Sequence, residues 1–369
     1  MLVEPLAPYL AWAKHRPKAS IDLALSNLLG CTVDDLPGAR GELSLGGLND
    51  DGYPPLVEAI AARYQVDTRS VATATGTSGA NFLVLAALLA PGDDVLVEAP
   101  AYDPLVGVPR LLGASVSRFE RRFDEQYAIA PWRIREALTP RTRLVVVTNL
   151  HNPSGVLADE NGLREVGEIV VRAGAHVLVD EVYLDTVHSP SPRSAAHLGD
   201  HVIVTSSLTK SYGLGGLRCG WVVAAPAIAE RVRRVRDLVD GAGSFPSDVL
   251  SLLAFRNLDT LMSRARRLLD SNFARLEAFM ATRRDLAWVA PQGGTVAFPR
   301  VLGIDDTRGL ADRLLRQYDT AVVPGAFFEE PRHVRLSFGG PPEQLGRGLA
   351  AIGRALDDEV RVRRPIGRV

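Results

Sequence analysis

The sequence predicts an α/β protein, a mostly parallel sheet flanked by helices, followed by a smaller α+β part. Three observations carry this. From about residue 70 to 225, short β-branched runs alternate with longer stretches of helical period. Several of those runs end in polar residues and turn formers, at the strand ends where an open α/β sheet forms its ligand crevice. After Ser247 the texture changes to long, arginine-rich amphipathic helix and then to short strands, which reads as a second unit.

Taken in order, the first forty residues are rich in Pro and Leu without clear period and are expected to pack on the smaller part. Strands are expected at 94–98, 114–119, 143–148, 176–180, 201–206 and 218–224, with helices at 80–89, 102–112, 132–137 and 161–173 between them. One long helix near 258–282 connects to short strands around 294–298 and 333–338. The polar segments after the strands, 149–155, 180–183 and 206–210, should converge at one edge of the sheet.

Composition excludes several classes. A formal net charge of −1 over 369 residues supplies no global field toward nucleic acid or an anionic membrane. The basic runs at 231–236 and 264–267 are interleaved with aliphatics at helical spacing, as solvated helix faces are. The longest apolar run, Phe82 to Ala90, is about half the length that spans a bilayer. Met1 to Pro5 carries an acid where a secretory leader needs base. Two distant cysteines, Cys31 and Cys219, build no disulfide framework, so a cytoplasmic location is expected. His197 and His201 lack the acid of a metal-binding helix pair, and no metal is expected. Gly213-Leu214-Gly215 does not have the spacing of a dinucleotide loop.

The chain contains three lysines against 39 arginines. Lys14 and Lys18 lie near the start; the third stands in Ser207-Leu208-Thr209-Lys210-Ser211-Tyr212-Gly213-Leu214-Gly215-Gly216-Leu217-Arg218. An arginine would supply charge there, but a guanidinium neither loses its proton readily nor condenses with an aldehyde. Lys210 therefore reads as a nucleophile.

These residues, with Asn149-Leu150-His151-Asn152-Pro153-Ser154-Gly155, Asp180-Glu181-Val182-Tyr183, Thr75-Gly76-Thr77-Ser78-Gly79-Ala80-Asn81 and His333-Val334-Arg335-Leu336-Ser337-Phe338, resemble the class I and II aminotransferases, fold type I enzymes of pyridoxal 5'-phosphate. The matches run in family order from about residue 41 to 340. The resemblance implies a seven-stranded type of sheet in a large cofactor domain, residues 40–260, and a small domain made from 1–39 and 261–369. It implies Lys210 as the Schiff-base lysine and proton shuttle, and Asp180 as partner of the pyridinium nitrogen. Tyr183 and Asn152 would serve the cofactor 3'-oxygen and Tyr102 the ring face, while Gly76, Thr77, Ser78, Ser207 and Arg218 would hold the phosphate. Arg335, with Asn152, would clamp the substrate carboxylate by a two-bond fork. The expected catalytic set is Lys210, Asp180 and Tyr183.

The implied activity is transfer of an amino group from an L-amino acid to a 2-oxo acid by a ping-pong route, in a homodimer. Carbon-sulfur lyases, decarboxylases and cyclopropane-forming synthases share the same signature, which does not separate them. One departure stands out. Where relatives place a tyrosine ahead of a G-x-x-x-L stretch, here Gly52-Tyr53-Pro54-Pro55-Leu56, this chain has Leu45-Gly46-Gly47.

Overall fold

The computed structural model describes residues 7–187 and 191–363; Met1 to Pro5, read for a leader, and the extreme ends of the expected small domain lie outside them. Seven strands form the main sheet: β1 (Val71–Thr75), β2 (Asp94–Ala99), β3 (Ser115–Glu120), β4 (Thr142–Thr148), β5 (His176–Asp180), β6 (Val202–Ser207) and β7 (Cys219–Val223). Their order across the sheet is β1-β7-β6-β5-β4-β2-β3. Only β7 runs against its neighbours.

Both faces of the sheet are covered. Val145, Val147, Val177 and Val179 point into one core, while Leu144, Val146 and Leu178 between them point into the other. Successive strand side chains face opposite ways, so a strand buried on both sides is written as an unbroken apolar run. β1 escaped the strand pattern because Val71-Ala72-Thr73-Ala74-Thr75 is mostly small. It lies at the sheet edge, where β7 packs closely on the turn that follows it.

The helix Gly76–Leu88 begins four residues before the periodic stretch that announced it. The expected helix at 102–112 shortens to Pro104–Leu111, with proline in its first turn. Glu160–Arg172 starts where the Asp159 side chain accepts from the Gly162 N–H at 3.0 Å. Leu258–Thr282 is one continuous helix of 25 residues.

A separate core joins Ile21, Leu23 and Leu28 to Leu269, Leu276, Leu336, Phe338, Leu349 and Ile352. Short pairings brace it: Ile21–Asp22 lies parallel to Thr320–Ala321, and Val334–Ser337 is flanked by Val296–Ala297 and Val323–Pro324. Leu36 and Ala39, which precede the expected boundary at residue 40, pack instead with Leu252 and Leu253 in a core beneath the main sheet.

The register of the sheet positions the site. Thr148, Asp180 and Thr205 are aligned on β4, β5 and β6 at their C-terminal ends. Because β7 is reversed, its beginning reaches the same edge: Cys219 pairs with Thr75.

Candidate active site

Asp180 ends the apolar strand β5 and is buried. Its Oδ2 accepts from Asn81 Nδ2 at 2.8 Å and its Oδ1 from the Val182 N–H at 3.1 Å. Thr205 in turn donates to Asn81 Oδ1 at 2.6 Å, which fixes the orientation of that amide. Burial raises the Asp180 carboxyl to about 6 even so. A carboxylate held ionised against that cost suits a cationic partner.

A second cluster is built for an anion. Gly76 opens the helix Gly76–Leu88 at φ +67°, and its N–H donates to the Arg218 carbonyl at 2.6 Å. A Cβ at Gly76 would stand 2.4 Å from Arg218 Nη2, so the missing side chain is what lets the guanidinium lie against the turn. Thr77 donates to Ser207 Oγ at 2.8 Å, and Ser207 to Thr209 Oγ1 at 2.9 Å. Ser78 is exposed beside them, as is Arg218. A helix N-terminus with the hydroxyls of Thr77, Ser78 and Ser207 and a guanidinium matches a phosphate dianion.

Lys210 follows β6 and is partly buried. Its Nζ donates to Ser26 Oγ at 2.9 Å and to Asn27 Oδ1 at 2.6 Å. Burial first, then the charges of Arg335 and Arg218, bring its amine down to about 7, with Asp180 opposing them. Tyr183 donates to the Ser26 carbonyl at 3.0 Å, and Thr295 donates to the same oxygen at 2.9 Å.

Arg335 is almost wholly buried in the strand Val334–Ser337. Its Nη1 reaches Asn152 Oδ1 at 3.4 Å, and its Nη2 donates to Tyr9 Oη at 2.5 Å and the Ala24 carbonyl at 3.2 Å. The guanidinium also lies over the Tyr9 and Phe328 rings, 4.7 and 4.9 Å from their centroids. Its buried Nε has no partner. Tyr102 is half-buried, edge-on to Tyr9 at 6.3 Å.

The structure thus brings Lys210, Asp180 and Tyr183 to one end of the sheet with Asn152 and Arg335, and sets Gly76, Thr77, Ser207 and Arg218 beside them. Tyr53 packs edge-on against Phe245. Sequence reading missed Tyr9, Ser26, Asn27 and Asn81. Asn81 carried a signal, since it lies four residues after Thr77 on the same helix face. Ser26 and Asn27 lie more than 180 residues from Lys210 and carried none. Among the described residues no cluster of three His, Cys, Asp or Glu could hold a metal, and no helix is long and apolar enough to cross a membrane.

The residues present fit pyridoxal phosphate: an amine able to shed its proton, a buried carboxylate short of a cation, and a glycine-bared anion cradle. Residues 41–352 match the family described as aminotransferase class I and II. Capreomycidine synthase of Streptomyces vinaceus is 34% identical, over 98% of this chain and 96% of its own length. The aspartate aminotransferase of Streptomyces avermitilis is 26% identical, over 83% and 80%. Among solved structures, a PLP-dependent aminotransferase from Streptococcus suis superposes with a TM-score of 0.90 at 26% identity, covering 97% and 99% of the two chains. The PLP-dependent cyclase OrfR superposes with a TM-score of 0.87 at 27% identity, covering 97% and 98%.

Proposed function

From the premise that this chain belongs to the class I and II aminotransferase family, and so is a pyridoxal phosphate-dependent enzyme of fold type I, we propose that it is an amino-acid cyclase. Such an enzyme takes the α-proton from an L-amino acid whose side chain bears both a leaving group and an internal nucleophile, and a ring closes with net loss of the protonated leaving group. The observation that carries this reading is the extent of the match to capreomycidine synthase. At 98% of the chain it must take in the segment around Tyr9, Ser26 and Asn27, which lies ahead of the family model and touches Lys210 and Arg335.

When bound, the cofactor supplies an electron sink for the Cα–H bond of the amino acid attached to it. The chain's residues supply the rest. Lys210 holds the cofactor and, with its amine brought to about 7, is available near neutral pH as the base that takes the α-proton. In its ammonium form it gives that proton to the departing group, and the proton that the internal nucleophile sheds on ring closure returns to the α-carbon through the same amine. Asp180 would keep a positive charge at the ring nitrogen and Asn152 would serve the 3'-oxygen, while Tyr183 would reach that oxygen only by turning its hydroxyl from the Ser26 carbonyl. Gly76, Thr77, Ser78, Ser207 and Arg218 would hold the phosphate, and Tyr102 would serve the ring face. Arg335 aligns the substrate by its carboxylate. The homodimer that the family resemblance implies belongs to the same proposal.

Transamination is the second reading, favoured by the aspartate aminotransferase match. Mass spectrometry of holoenzyme incubated with single amino acids separates the two. Cyclisation gives a product lighter by the leaving group, without any 2-oxo acid acceptor. Transfer gives the 2-oxo acid of the donor, converts the cofactor to its amine form, and needs 2-oxoglutarate or pyruvate to turn over. Accumulation of that amine form with every substrate consumed would reject the cyclase reading.

A further inference from the structure

The segment 21–27 is anchored on the strands of the smaller core. Ile21–Asp22 pairs with Thr320–Ala321, the Leu23 N–H donates to the Ala321 carbonyl at 2.9 Å, and the Ser337 N–H donates to the Leu23 carbonyl at 2.7 Å. The Ser26 carbonyl is held from two sides, by Tyr183 and Thr295. What this bracing presents to the site is a pair of side-chain oxygens, Ser26 Oγ and Asn27 Oδ1, at 2.9 and 2.6 Å from Lys210 Nζ.

We propose that Ser26 and Asn27 form a receptor for the free side chain of Lys210, positioning it as a base whenever it is not bonded to the cofactor. The inference rests on Lys210 being the cofactor lysine. A neutral amine has two N–H bonds and one lone pair. With both N–H groups donated to Ser26 and Asn27, the lone pair is turned away from those oxygens and its direction is set, which is what a general base needs before it meets its proton. An imine nitrogen cannot donate two hydrogen bonds, so the pair of contacts exists only while the Lys210 amine is free of the cofactor. Ser26 and Asn27 are positioning residues that act on one form of one side chain.

The same two acceptors also stabilise the ammonium, against the neighbouring charges of Arg335 and Arg218 and with that of Asp180. Removing either acceptor therefore shifts the Lys210 titration downward, and a carboxylate at position 27 shifts it upward. A shift of about one pH unit is expected for loss of one hydrogen bond to a charged group. The chain provides its own controls, because its other two lysines, Lys14 and Lys18, are both exposed.

The test is acetylation of the apoprotein at graded pH, with each lysine quantified by peptide mass spectrometry. Ser26→Ala and Asn27→Ala should lower the Lys210 midpoint, Asn27→Asp should raise it, and Ser26→Thr, which keeps the hydroxyl, should restore the wild-type value. Lys14 and Lys18 should not move. A Lys210 midpoint unchanged in both alanine variants, or shifted equally by Ser26→Thr and Ser26→Ala, would overturn the proposal. Protection of wild-type Lys210 by added pyridoxal phosphate is scored separately. Its failure would overturn the assignment of the cofactor lysine, which the midpoint shifts do not test.

Discussion

Gly76→Ala isolates the phosphate cradle. The new methyl would lie 2.4 Å from Arg218 Nη2, and van der Waals separation requires the guanidinium to withdraw by about 1 Å. Arg218 is exposed and its end is free to move, so the clash is relieved by displacing the one cation in the cradle. Alanine at φ +67° adds strain of about 1–2 kcal/mol. Loss of one charge-assisted hydrogen bond to a phosphate is worth about 1.5–3 kcal/mol, so the Kd for pyridoxal phosphate should rise roughly 10- to 150-fold. Titration of the apoprotein with pyridoxal phosphate and, in parallel, with pyridoxal measures this, because only the first ligand uses the cradle. Equal losses for both ligands, or a Kd for pyridoxal phosphate within about twofold of wild type, would refute the reasoning. Gly220→Ala is the contrasting variant. Its methyl would meet the Gly76 backbone carbon at 2.3 Å, which cannot step aside, so folding should suffer before selectivity does.

Asp180→Asn tests the buried carboxylate in the apoprotein. A carboxyl whose folded value of about 6 exceeds its usual 3.8 favours folding when protonated, so its contribution is full below 3.8 and is lost as pH rises through 6. The stability difference between wild type and variant in urea should therefore change by about 2 kcal/mol between pH 4 and pH 7, and a difference independent of pH would exclude the effect. Arg335→Lys keeps the charge and loses the planar fork; KM for the amino acid should rise at least roughly tenfold while cofactor absorbance is retained, and an unchanged KM would remove Arg335 from the substrate site. Glu98→Ala breaks a fully buried ion pair with Arg121 and removes the acceptor for the Thr148 N–H and hydroxyl. It should cost about 3–5 kcal/mol in denaturant unfolding, and a loss below about 1 kcal/mol would show that the pair contributes little.

The order of elements was legible because strands buried on both faces and helices with one apolar face leave different periods in the chain. β1 was not, since its small residues are explained by the close approach of β7 and not by any local pattern. The nucleophile was legible for a chemical reason: a chain that writes almost all its positive charge as arginine kept an amine at one interior position. Asp180 stood out as an acid closing an apolar strand, and Arg335 as a cation between Val334 and Leu336.

What the chain determined by itself is therefore the chemistry available: an amine, a buried acid, a carboxylate clamp and an anion cradle, each marked by residue type against its local background. Only the tertiary structure decided their company. Tyr9 beneath Arg335, and Ser26 and Asn27 on the amine of Lys210, arrive from a segment whose own sequence is ordinary. Hydrogen bonds between residues this far apart depend on how two cores are seated together, and a local sequence pattern records only what its own neighbours require.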